Sequence, residues 1–179
     1  MDVIRRPSSA ESNVPRFVCD EMLQRLGSWL RAAGYDTLIA KEGQDDYYLL
    51  RQAIDEGRLL ITRDRELAAH RRAKGTVIYL EADSLEECAE ALSKQVPIDW
   101  LRLPFSRCMN CNTPLIDATV QQIRSLPLKK KEHFDAAFYC PGCRQVFWDG
   151  SHVERMRRHL TDWAQRFSTG RERRTPSAD

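Results

Sequence analysis

Apolar residues in the first hundred positions follow two alternating rhythms. Short continuous runs, Phe17-Val18-Cys19, Tyr35 to Ala40, Leu59-Leu60-Ile61-Thr62 and Val77-Ile78-Tyr79-Leu80, have the length and composition of buried strands. Between them the apolar positions recur at three- and four-residue spacing. Met22, Leu23, Leu26, Trp29, Leu30 and Ala33 mark one helix, with Gly34 at its C-cap position. Leu49, Leu50, Ala53 and Ile54 mark a second, stopped by Gly57. A basic, alanine-containing helix is expected from about Arg65 to Lys74, ended by Gly75. Leu85, Cys88, Ala89 and Leu92 form the inner face of a fourth, opened by a Ser84/Glu87 capping box. Strands that alternate with helices imply right-handed crossovers and a parallel sheet covered on both faces, an α/β fold.

The alternation ends near 97–105, where cysteine pairs and aromatic residues take over. The expected organisation is a disordered lead-in over 1–15, an α/β module over 16–100, a cysteine-bearing module over 101–150, a helix over 151–168 and a disordered tail over 169–179. A second capping box, Ser151/Glu154, opens that helix. Its apolar positions Val153, Met156, Leu160, Trp163 and Phe167 lie on one face, with arginines around them.

Composition narrows the class. In 179 residues, 42% hydrophobic and 30% charged content suits a soluble domain with a real core. No apolar run approaches the roughly 18 residues that span a membrane. Met1 to Pro15 lacks the apolar core of a signal peptide, so a cytoplasmic location with reduced thiols is expected. Residues 1–100 hold 14 basic and 18 acidic side chains, a net −4, whereas 101–179 hold 14 and 8, a net +6. The basic second half points to a polyanion partner or to a solvated basic surface.

Cys108-Met-Asn-Cys111 and Cys140-Pro-Gly-Cys143 are two Cys-x-x-Cys turns 28 residues apart. Each turn can place two thiolates on one edge of a tetrahedron, so the four are expected to hold a structural zinc ion. Phe138-Tyr139 and Val146-Phe147-Trp148 look like ribbon strands around it. A redox-active dithiol would sit at a strand-to-helix turn and needs no second pair. The isolated Cys19 and Cys88 are expected as buried packing residues.

A second candidate site lies where the strands end. Asp20 follows the first strand, Asp64 the third and Asp83 the fourth, while Asp45 and Asp46 open the second helix. In a parallel sheet these positions share the carboxyl edge, where such folds bind ligands. Converging carboxylates suit Mg²⁺ or Mn²⁺, and paired ions at such a site hydrolyse phosphodiesters. Asp is also a favoured N-cap, and Asp20, Asp45 and Asp64 each occupy a natural cap position. Arg63 and Arg65 flank Asp64 and could meet substrate phosphate or pair with nearby acids. No Gly-rich phosphate loop, Ser-His-Asp order or His-Glu-x-x-His motif is present, and no small-molecule organic cofactor is expected.

The stretch from Asp20 to Thr37, the segment Leu60-Ile-Thr-Arg-Asp-Arg-Glu-Leu, the cysteine pairs and Phe147-Trp-Asp-Gly-Ser-His together resemble the Mut-seven C-terminal ribonuclease domain family. The resemblance covers roughly residues 16–160. It implies a PIN-like nuclease fold with a zinc ribbon, acting on RNA, with Asp20, Asp46 and Asp64 as the Mg²⁺- or Mn²⁺-binding catalytic acids. Asp45 is adjacent to Asp46, and either Asp45 or Asp83 could assist. RNA would be held by Lys129-Lys130-Lys131, by Arg155, Arg157 and Arg158 of the last helix, and by Arg63 and Arg65. His152 opens that helix within reach of RNA, although a surface role is the simpler expectation. Two other readings compete. A zinc ribbon with a basic helix could bind RNA without cutting it. A receiver-like phosphoacceptor domain would need a Lys at the end of the last strand, where this chain has Glu81.

Overall fold

The computed structural model describes residues 14–124, 126 and 136–167; Lys129, Lys130 and Lys131 lie outside the described residues. Four strands form the main sheet: β1 (Phe17–Cys19), β2 (Thr37–Ile39), β3 (Leu59–Thr62) and β4 (Val77–Tyr79). All neighbours pair parallel, in the order β2-β1-β3-β4. The order reverses between β1 and β3, which leaves a crevice beyond the carboxyl ends of those two strands.

Side chains alternate across this sheet as the pleat requires. Phe17 and Cys19 of β1 and Ile61 of β3 pack with α1 (Gln24–Ala32) and α4 (Leu85–Gln95) on one face. Val18 and Leu60 pack with Leu49, Leu50 and Ala53 of α2 (Asp46–Glu56) and Leu67 of α3 (Arg65–Ala69) on the other. The Ser84/Glu87 capping box is formed, and Gly57 closes α2 in the left-handed region at φ 61°.

β2 and β4 each stop one residue short of the expected ends, Ala40 and Leu80, and three further features differ from the expectation. Tyr35 is not part of a strand: its N–H donates to the Leu30 carbonyl (2.9 Å) and that of Gly34 to Arg31 (3.0 Å), so both complete the end of α1. The basic helix stops at Ala69 instead of running to Lys74. His70 is extended, and Ala73 alone of the next residues is buried; its carbonyl accepts from Thr76 (2.9 Å) and Val77 (2.8 Å) in a tight turn into β4. The last helix, α6 (Ser151–Phe167), starts without the expected Ser151/Glu154 box, because the Glu154 N–H bonds to the Gly150 carbonyl (3.1 Å).

Met156, Leu160 and Trp163 of α6 join the core made by α1, α4 and the sheet. Trp163 stacks edge-on against Trp100 (4.6 Å between centroids) and leans on Trp29, and its Nε1–H donates to Glu86 Oε2 (2.7 Å). A second, antiparallel sheet, β5-β6-β7, is made by Ile116–Asp117, Ala137–Tyr139 and Val146–Trp148; a short helix, α5 (Val120–Arg124), follows β5.

Candidate metal sites

Both cysteine turns are built alike. The N–H of Asn112 donates to the Cys108 carbonyl (2.8 Å), and that of Arg144 to the Cys140 carbonyl (2.8 Å). Asn112 and Arg144 sit at positive φ, 70° and 58°, which reverses the chain after each pair. Gly142 is required by close approach: a Cβ there would lie 2.4 Å from the Thr113 hydroxyl. The four Sγ atoms all lie within 4.8 Å of one another, with Cys108 to Cys143 at 3.6 Å and Cys111 to Cys140 at 3.3 Å. A tetrahedral Zn–S shell has edges of roughly 3.8 Å, so the four cysteines are positioned to bind a metal ion. Burial opposes ionisation of Cys111, yet the Thr113 hydroxyl and backbone, with the neighbouring thiols, bring it down to about 6. Burial also pushes Cys108 up, to about 12.

The first turn docks on the main sheet. Arg31 of α1, 6% exposed, donates from Nη1 to the carbonyls of Met109 (2.8 Å) and Asn110 (2.9 Å), and from Nε to Thr37 (2.8 Å). Asn112 accepts from the Thr37 N–H (3.0 Å) and donates to Asp36 (2.7 Å). Arg58 grips the same Asp36 (2.8 Å), and together these partners hold the Asp36 carboxyl below its ordinary range in spite of burial. Asp36 precedes β2 and Thr37 begins it, so the cysteine turn sits at the amino edge of the sheet. Neither Arg31 nor Asn112 was singled out from the sequence.

The acids sit at the opposite edge. Asp20 is 5% exposed. Its Oδ1 accepts from the Met22 N–H (2.7 Å), and its Oδ2 from the Thr62 hydroxyl (2.5 Å) and the Arg63 N–H (3.2 Å). The Thr62 oxygen in turn accepts from the Asp64 N–H (2.9 Å). Thr62 therefore ties the ends of β1 and β3 together across the crevice, a role visible in sequence only as a hydroxyl closing an apolar strand. Asp64 caps α3 through Oδ1, accepting from Glu66 (2.6 Å) and Leu67 (3.0 Å). Asp45 caps α2, accepting from Tyr48 (2.8 Å). The capping expected of Asp20, Asp45 and Asp64 is thus present in each.

Asp46 differs from them. Among the described residues no hydrogen bond or ion pair reaches its carboxylate. Desolvation, followed by the charges of Asp64, Asp20, Asp45 and Glu21, raises its pKa above the ordinary 3.8. A carboxylate repelled by four others, with no ion-pair partner among the described residues, suits a cation as partner. Among the described residues only the cysteines form a group of three or more ligands within 4.8 Å; the acids are more widely spaced. Asp83 is exposed and pairs with Arg63, while Arg65 pairs with Glu81 and donates to the Tyr79 hydroxyl (2.8 Å). Both flanking arginines are thus engaged by acids at the end of β4. On α6, Arg155, Arg157 and Arg158 are exposed, and Arg157 lies over the Phe105 ring (5.2 Å). His152 is exposed at the start of α6, beside a groove of about 660 Å³ that Phe105, Phe147 and Trp148 also line.

A curated human protein, "Exonuclease mut-7 homolog", is 23% identical over 224 residues, which span 82% of this chain and 26% of the relative. The chain thus covers about a quarter of that protein's length. No solved structure matches the chain. The sequence model of the Mut7-C RNAse domain matches residues 15–160, which include both cysteine turns and every acid at the carboxyl edge, and the chain belongs to that family.

Proposed function

We propose that the protein is a Mg²⁺- or Mn²⁺-dependent ribonuclease whose reaction takes place at the crevice between β1 and β3. The observation that carries this reading is Asp46: a carboxylate without a hydrogen-bond partner among the described residues, repelled by Asp20 and Asp64 at the switch point of the sheet. Asp20, Asp46 and Asp64 would hold the cation. Asp45 is committed to its cap and Asp83 to Arg63, so their part would be electrostatic. Bound there, Mg²⁺ or Mn²⁺ would polarise the scissile phosphate and activate a water. The chain supplies orientation: Thr62 fixes Asp20 and the backbone of Asp64, and the α3 cap fixes the Asp64 carboxylate. Arg63 and Arg65 could reach substrate phosphate by exchanging Asp83 and Glu81 for it.

The four cysteines would hold zinc, a closed shell without an open position and hence a structural role. A four-thiolate zinc site carries net charge −2, and the buried Arg31 guanidinium, drawn toward Cys108 and Cys111, offsets part of it. Lys129, Lys130 and Lys131, with Arg155, Arg157 and Arg158, would add RNA affinity on the basic half. The caps made by Asp20, Asp45 and Asp64 favour a second reading, an RNA-binding protein that does not cut. Labelled RNA incubated with Mg²⁺, with Mn²⁺ and with excess chelator separates the two. The ribonuclease reading expects metal-dependent cleavage that Asp46→Asn abolishes and Asp45→Asn largely retains. Cleavage that survives the chelator, or none under any metal, contradicts it.

A further inference from the structure

The sheet face covered by α2 and α3 bears a cleft that the acidic edge does not use. It opens between α2 and the turn from His70 to Thr76, with a volume of about 940 Å³. Arg51, Arg71, Arg72 and Lys74 line it, against a single acid, Asp55, which Arg51 approaches at 3.7 Å. Arg71, Arg72 and Lys74 are exposed, and among the described residues no carboxylate pairs with any of them. The module as a whole is net acidic, so this basic stretch stands out within it. An anionic partner would supply the missing counter-charge.

The cations are not on a loose loop. Between them Ala73 is 3% exposed, its N–H donates to the His70 carbonyl (2.8 Å), and its carbonyl receives Thr76 and Val77. The Arg72 N–H donates to His70 Nδ1 (3.3 Å), which orients that ring. Tyr47 then meets His70 edge-on, with centroids 5.5 Å apart, and is 64% exposed at the mouth of the cleft. Tyr47 directly follows Asp46 in α2, so the aromatic end of the cleft adjoins the acidic edge and the cations lead away from it. Cations that track a backbone, with an aromatic platform at one end, are the combination that binds single strands.

We propose that this cleft binds the single-stranded RNA next to the scissile phosphate, with Arg71, Arg72 and Lys74 on successive phosphates and a base stacked on Tyr47. The identity of the occupant rests on the ribonuclease reading; the cleft's contribution to binding is measured separately from turnover. The probe is a short, unstructured, fluorescein-labelled RNA, titrated by anisotropy against full-length Asp64→Asn across a salt series. In that background R71A/R72A/K74A is expected to weaken binding at least about tenfold at low salt and to flatten the log–log salt slope by about 2. Tyr47→Ala is expected to weaken it about fivefold or more at unchanged slope, with Tyr47→Phe restoring it. These side chains are exposed, so unchanged melting temperatures are expected. Affinity and slope equal to the parent in the triple variant overturn the proposal, even where wild type cleaves RNA with Mg²⁺. A loss confined to double-stranded RNA also overturns it. A triple variant that loses single-strand binding, alongside a wild type that cleaves nothing, upholds the cleft and removes the nuclease reading instead.

Discussion

Thr62 shows how much a single hydroxyl can organise. It donates to a buried carboxylate on one strand and accepts an amide that belongs to the next acid. Thr62→Val keeps shape but takes one donor from Asp20, which keeps the Arg63 N–H, and leaves the Asp64 N–H without its acceptor, at a cost of about 1–3 kcal/mol. Urea unfolding is expected to show that loss, and Thr62→Ser to recover most of it. A neutral valine variant would mean that the Asp20–Asp64 link is not formed. Asp46 gives a pH signature. Its raised pKa means that a proton competes with the cation from above the ordinary 3.8 downward. Mn²⁺ affinity is therefore expected to rise with pH through that range, and Asp46→Asn to abolish the rise. The stability contribution runs the opposite way in metal-free protein. It is complete below the ordinary carboxyl pKa and is lost as pH rises through the raised one, because ionisation brings repulsion. Positions of the acids could be read from where strands end. Their hydrogen-bond partners could not, because Thr62 reaches Asp20 across 42 positions of sequence.

Among the elements, α6 carries the clearest consequence. Its periodicity marked Val153, Met156, Leu160, Trp163 and Phe167 as one inner face; the middle three are buried and the two at the ends are half-buried. Local spacing could not say against what they pack, because Trp100 and Trp29 lie far away in sequence. Trp163→Ala removes a fully buried ring and leaves Glu86 without its indole donor. Destabilisation of about 3–5 kcal/mol is expected from denaturant curves, and a loss under about 1 kcal/mol would show that α6 is only loosely attached. The overlong basic helix expected from Arg65 onward illustrates the converse limit. Helix-favouring alanines and arginines continue to Lys74, but no apolar face continues with them, and the return to β4 takes over. Gly34 marks another element boundary: at φ 96°, it lets the segment after α4 pass so closely that a Cβ would meet the Leu103 carbonyl at 2.6 Å.

Across the whole molecule the two candidate metal sites occupy opposite edges of one sheet. The cysteine turns were legible from spacing alone, whereas their docking through Arg31, Asn112 and Asp36 depends on long-range contacts that no local pattern reports. That docking makes the metal matter beyond the ribbon. Cys140→Ser is expected to lose zinc by elemental analysis and to lower the melting temperature of the full chain, since metal binding adds to folding free energy. A full complement of zinc in that variant, or an unchanged melting temperature without it, would contradict the assignment. The described residues include no helix long and apolar enough to cross a membrane. At the other edge Asp20, Asp45 and Asp64 also serve as caps. Asp64→Asn separates cap from catalyst, because asparagine caps as well as aspartate but brings no charge. Cleavage of labelled RNA in Mg²⁺ or Mn²⁺ by folded Asp64→Asn, set beside wild type, is the most direct measurement. Wild-type melting is expected, with turnover reduced at least about a hundredfold, roughly 2.7 kcal/mol in the barrier; turnover equal to wild type would rule out Asp64 as a catalytic acid.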